Sequence, residues 1–158
     1  MSQLEYSPGL ENVVAGETAI CTIAGGLQYR GFAIEDLAEH ASFEEVAFLL
    51  LHGNLPTQNE LSAFRGRLGA AIDVPDTVIS ILEQIPDTAP MMDVMRSACS
   101  LLAHWDDETS NGSPEVNIRK AERLLAQLPV VLAARHRLRR GADVVPLETD
   151  MSLAGDIL

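Results

Sequence analysis

With 158 residues, 47% of them apolar and only 4% aromatic, the chain has material for one core built from Leu, Ile, Val, Ala and Met, which favours packed helices over an aromatic-rich sandwich. Eleven Lys and Arg against 23 Asp and Glu give a formal charge of −12, a sign that repels phosphate backbones and anionic lipid and so excludes nucleic acid and membrane as expected partners. No apolar run approaches the roughly 20 residues that span a bilayer and no basic-then-apolar leader opens the sequence, so the expected location is the cytoplasm.

The opening "ENVVAGET" reads as an extended arm, with Gly16 as a turn. Two β-prone runs follow, Ala19 to Ile23 and Leu27 to Phe32, separated by Ala24, Gly25 and Gly26. Paired glycines supply the positive φ angles of tight loops, so the expectation is a small β-hairpin. Cys21 and Cys99 lie in apolar runs without metal-ligand spacing and are expected to be reduced core residues.

Ile34, Leu37 and Ala38 recur at helical spacing and predict a short helix ending near His40. Ser42 with Glu45, and Thr57 with Glu60, both have the three-residue spacing of a capping box and predict two further helix starts, the first of which Gly53 ends. Leu61, Phe64 and Leu68 give the apolar face of the second. Pro75 opens another helix, with Val78, Ile79 and Leu82 inward, and Pro86 closes it.

In "MMDVMRSACSLLAHW", Met92, Met95, Cys99 and Leu102 share one face, which Met91, Val94, Ala98, Leu101 and Trp105 broaden. Such breadth predicts burial on more than one side. "DDETSNGSPEV" reads as a solvated acidic loop, and Ser113 with Pro114 starts the longest helix, expected to run to Arg140 with a kink near Gln127 imposed by Pro129. The basic run Arg135 to Arg140 reads as cations offsetting the negative end of that helix, ahead of an anion site. The final "ETDMSLAGDIL" starts one more helix, with Asp150 or Ser152 as cap, whose apolar face needs a partner.

Few residues point to chemistry. His40, His52, His104 and His136 form no HExxH pair, "AGGLQYRG" has neither phosphate-binding glycine order, and Asp106, Asp107 and Glu108 lack the spacing of a calcium loop. No metal or cofactor is expected. Arg30, between Tyr29 and Gly31, is expected to anchor the hairpin to a carboxylate or a helix C-terminus, with an anion contact as the alternative.

The order of blocks resembles the citrate synthase family, including the 2-methylcitrate synthases, over nearly the whole chain. "SPGLENVVAGETAICTI" resembles its opening arm, "LQYRGFAIEDLAEHASFEEVAFLLLHGNLPT" its N-terminal block, "MMDVMRSACSLLAHWDDE" its Met-Asp-Val-Leu-Arg helix, and "LPVVLAARHRLRRG" with "DMSLAGDIL" the run toward its catalytic half. Two departures stand out: the loop at Gly25 and Gly26 is shorter than is common, and the family's frequent His-Pro-Met ahead of Asp93 reads Pro90, Met91, Met92.

The resemblance implies a multi-helical large-domain segment over residues 1–158, preceded by a small hairpin, without the small catalytic domain. It also implies condensation of acetyl-CoA with oxaloacetate and hydrolysis of the citryl thioester, by an aspartate base, two histidines and substrate-holding arginines in a water-excluding cleft. In the family those residues follow the matched segment, so none is carried onto a position here. The long helices resemble those at the family's dimer interface, which makes Met92, Met95, Cys99, Leu102, Ile118, Leu125 and Leu132 the candidate interface and self-association, or a complementary catalytic-half chain, the expected partner. A natural subunit of a split enzyme, a non-catalytic dimerisation module and an unrelated helical domain stay open as alternatives.

Overall fold

The structure, a computed structural model, describes residues 16–145 together with Val14, Leu153 and Gly155. Three two-residue strands come first: β1 (Cys21–Thr22), β2 (Gln28–Tyr29) and β3 (Phe32–Ala33), in the antiparallel order β1-β2-β3. The run expected as one strand, Leu27 to Phe32, is therefore two. Tyr29 pairs with Phe32, leaving Arg30 and Gly31 as a two-residue loop with φ of 50° and 89°. Positive φ at both central positions matches the right-handed twist of the flanking strands, which is why this tight turn breaks the run. Gly25 and Gly26, with φ of 81° and 118°, turn the chain between β1 and β2 as expected.

Six α-helices follow among the described residues: α1 (Ile34–His40), α2 (Phe43–His52), α3 (Gln58–Ala70), α4 (Asp76–Gln84), α5 (Met91–Leu102) and α6 (Pro114–Leu138), with a 3-10 turn at Ala103–Trp105. The fold is mainly α, as expected. Both capping boxes form. The Ser42 backbone N–H donates to Glu45 Oε2 at 2.7 Å while Ser42 Oγ accepts from the Glu45 N–H, and Thr57 repeats this with Glu60 at 2.8 Å. Gly53, at φ 96°, closes α2 in the left-handed conformation.

α6 is one continuous helix through Pro129 and ends at Leu138 rather than Arg140. Ser113 precedes it without a side-chain cap, and Pro114 occupies its first turn, where no N–H is required. The last segment's expected caps, Asp150 and Ser152, lie outside the described residues, and within it Leu153 and Gly155 are helical.

Two cores share α6. Val78 and Leu82 of α4, Val94, Ala98 and Leu102 of α5, and Val131 and Ala134 of α6 form one. Phe48 of α2, Phe64 and Leu68 of α3, Ala126 of α6 and Leu153 form the other. At about 1.5–3 kcal/mol per fully buried large apolar side chain, these contacts and not helix propensity hold the bundle. Cys21, on the two-residue edge strand β1, is exposed and Cys99, on α5, is half-buried, both as free thiols. The expectation of two core cysteines is corrected accordingly.

Removing a capping hydroxyl orphans a helix N–H, so Ser42→Ala and Thr57→Ala should each lower unfolding free energy by about 1 kcal/mol, read by urea denaturation, with little change in the slope.

Candidate functional site

The broad faces of α5 and α6 do not meet as one surface. Val94, Ala98 and Leu102, spaced by four, point inward, so Leu102 (5% exposed) belongs to the chain's own core. Met92, at 77% exposure, points outward from the start of α5. Met95, Leu125 and Leu132 come together instead, lining an open groove of about 690 Å³ with Phe43, Val46 and Leu50 of α2. Its lining is apolar throughout, and Pro129 lies in its wall. Cys99 lines a separate cavity of about 230 Å³ beside Trp105, Lys120, Arg123 and Gln127. Ile118 is half-buried near the start of α6 and lines neither.

Two ionic groups on α6 fix it against its neighbours. Glu122, buried, accepts from Arg67 Nε at 2.8 Å and Nη2 at 2.9 Å, a bidentate fork that joins α6 to α3. His52 Nε2 of α2 stands 3.4 Å from Glu122 Oε1, its ring stacked on Phe48 with centroids 4.2 Å apart. Burial alone would raise the Glu122 carboxyl, but the Arg67 fork, the Arg67 charge and His52 outweigh it and hold it below its ordinary value.

Arg135 is the second, at 1% exposure. Its Nη1 donates to the Leu82 carbonyl at 3.0 Å and its Nη2 to Pro86 at 2.8 Å, so it satisfies the carbonyls where α4 ends. Only some of "RHRLRR" is thus the solvated helix-end cluster expected. Neither Arg135 nor the Arg67–Glu122–His52 group was found in the sequence. The single available signal was charged residues at positions where the helical period calls for apolar ones.

The acidic stretch after α5 is no free loop. Arg123 of α6 forks onto both Asp106 oxygens at 2.9 Å and reaches Glu108 Oε2 at 2.9 Å, and Arg119 pairs with Glu108 Oε1. Hydrogen bonds from Arg119 and Arg123 pull the Glu108 carboxyl down to about 2. Lys120 donates to the carbonyls of Thr109 and Asn111, so one turn of α6 staples the whole connection.

Arg30 anchors the sheet as expected. Its Nη2 donates to the Leu50 carbonyl in the last turn of α2 at 3.0 Å and its Nη1 to Ala19 at 3.3 Å. No group of three or more His, Cys, Asp and Glu among the described residues is placed to hold a metal ion, and no described helix is long and apolar enough to cross a membrane.

These features define a mainly α-helical domain with an apolar groove between α2, α5 and α6. The family model for "Citrate synthase, C-terminal domain" matches residues 9–158, and the chain belongs to the citrate synthase family. Similar relatives include a 2-methylcitrate synthase of Shewanella oneidensis, 40% identical over 90% of this chain and 38% of its own length. A citrate synthase of Haloferax volcanii is 40% identical over 98% of this chain and 42% of its own. The crystal structure of citrate synthase from Pyrobaculum aerophilum superposes with a TM-score of 0.86 at 29% identity, covering 97% of this chain and 42% of that one. The chain spans well under half the length of these relatives.

Two outcomes follow. Arg30→Ala should cost about 1–3 kcal/mol of stability through two lost charged donors, with Arg30→Lys restoring some of it, as melting temperatures will show. Glu108 has its carboxyl depressed in the fold, so its contribution is complete above pH 4.5 and disappears as the pH falls toward about 2. Glu108→Gln should therefore lower the melting temperature at pH 7, where that contribution is present in full, and flatten the acid limb of the profile, the gap to wild type closing as the pH falls toward about 2.

Proposed function

We propose that residues 1–158 form the N-terminal segment of the large domain of a citrate synthase-like enzyme, without the small catalytic domain, and that they contribute interface helices to a cytoplasmic assembly. In the complete enzyme the reaction is condensation of acetyl-CoA with oxaloacetate to citrate and CoA. Relatives named citrate synthase and 2-methylcitrate synthase both occur at 40% identity, so the reading covers either condensation. The order of the motif blocks supports the N-terminal placement, against a family model whose own description is that of the C-terminal domain.

The observation that carries the reading is the groove formed by α2, α5 and α6. An apolar surface of this kind is exposed at a cost in water, and a helix laid into it would regain the burial. Met95, Leu125 and Leu132 line it and Met92 extends the exposed apolar surface, whereas Leu102 is spent in the chain's own core and Cys99 and Ile118 lie outside the groove. Self-association fills the groove in one arrangement. A separate chain bearing the catalytic residues fills it in the other, the arrangement of a split enzyme.

The described His and acidic groups are bound up in structural pairs or stand alone, which is the chemical reason to expect no turnover from this chain by itself. Purified alone, it should release no CoA thiol from acetyl-CoA and oxaloacetate, and should sediment as a dimer or larger species at micromolar concentration. The pair Leu125→Glu and Leu132→Glu should disperse that species while circular dichroism keeps its helical signal. Turnover surviving contaminant controls, or a compact wild-type monomer with no partner, would overturn the reading.

A further inference from the structure

Nine of the eleven Lys and Arg direct a donor onto a carboxylate, hydroxyl or carbonyl of the chain itself. The two without such a partner among the described residues are Arg139 and Arg140, adjacent in sequence just past α6. With His136 they line an open cavity of about 250 Å³ to which no other described residue contributes. In a chain with 23 carboxylates and 11 cations, two uncommitted guanidiniums on one cavity are the opposite of what charge abundance alone produces.

The ordinary account, cations satisfying the carbonyls at a helix end, does not occupy them. Three of those carbonyls already accept from backbone donors: Arg139 N donates to Arg135 O at 3.1 Å, Arg140 N to Arg137 O at 2.9 Å and Gly141 N to Leu138 O at 2.9 Å. Gly141, at φ 66°, makes this closure possible, and Arg137 Nε holds the following turn through the Asp143 carbonyl at 2.7 Å. The backbone presenting Arg139 and Arg140 is thereby fixed without using their side chains, and their residual role at the helix dipole needs only charge.

We propose that His136, Arg139 and Arg140 form a binding site for a phosphate-bearing ligand of two or more negative charges. Two guanidiniums and an imidazole on the residues that line one cavity offer enough donors for the several oxygens of a phosphate or diphosphate, whereas one carboxylate would satisfy a single guanidinium. The chain's net charge opposes any anion at long range, but screening over about 8 Å at physiological salt confines that opposition and leaves the local cluster dominant. The site is distinct from the apolar groove and independent of the catalytic reading.

The test is calorimetric titration of the 158-residue chain with inorganic pyrophosphate, ADP and, as a singly charged control, acetate. Pyrophosphate should bind and acetate should not. Arg139→Ala with Arg140→Ala should weaken pyrophosphate binding by roughly tenfold or more and flatten its salt dependence. Arg96→Ala, which removes an exposed guanidinium paired with Asp93, should leave affinity unchanged. The double Lys variant, which keeps both charges and tolerates the same backbone, should bind at an intermediate level. ADP tighter than pyrophosphate identifies a nucleotide as the source, and equal affinities identify free phosphate; either supports the site. Pyrophosphate that fails to bind at millimolar concentration, or binds the double Ala variant as well as wild type, overturns it. So does a double Ala variant altered only in sedimentation, since that marks a protein contact.

Discussion

The bidentate pair between Arg67 and buried Glu122 is the interaction on which the arrangement of helices depends. A carboxylate 5% exposed in the wall of a helix bundle is tolerable only if its charge is met, and the guanidinium that meets it must come from α3 at one height along α6. Apolar packing alone would let α6 slide by a turn at modest loss, since Leu, Val and Ala recur along it. The fork does not slide. His52 on the same carboxylate, stacked on Phe48, ties α2 into the same level.

Arg135 has the matching role in the other core. It carries a buried cation to the end of α4, where its guanidinium donates to the carbonyls of Leu82 and Pro86 beside the backbone donors they already have. The two cores on α6 are thus each indexed by one ionic group, Glu122 toward α2 and α3 and Arg135 toward α4. With α3 and α4 held at fixed positions on one long helix, α2 and α5 are left flanking α6 with a gap between them. That gap is the apolar groove.

The same division explains how cations are distributed. Most are consumed within the chain, at helix ends, on the acidic connection after α5 and beneath the three-stranded sheet, where Arg30 links a turn to the last carbonyls of α2. A chain with 23 acidic groups and so few uncommitted cations is dominated by negative charge, and the cluster at the end of α6 interrupts it.

Helix starts were legible in the sequence because capping is local: Ser42 with Glu45 and Thr57 with Glu60 close their boxes within four residues, needing nothing from the rest of the chain. Family membership was legible for a similar reason, since it rests on ordered blocks and not on contacts. The identity of the candidate interface was less so. Periodicity put Met92, Met95, Cys99 and Leu102 on one face, yet an α5 packed on both α4 and α6 turns Leu102 inward, leaves Met92 in solvent and sends Met95 and Cys99 to different cavities. Which way a broad apolar stripe faces is decided by the neighbours on either side, and those are set by tertiary packing. The split of Leu27 to Phe32 into two strands turned on Arg30 taking a positive φ, which side-chain propensity opposes and the anchoring of its guanidinium across the sheet favours. Sequence alone determined the order of the helices, the capping boxes at Ser42 and Thr57 and the kinship; only the three-dimensional structure decided where the buried charges of Glu122 and Arg135 find partners, because those partners stand 55 and 53 residues away along the chain.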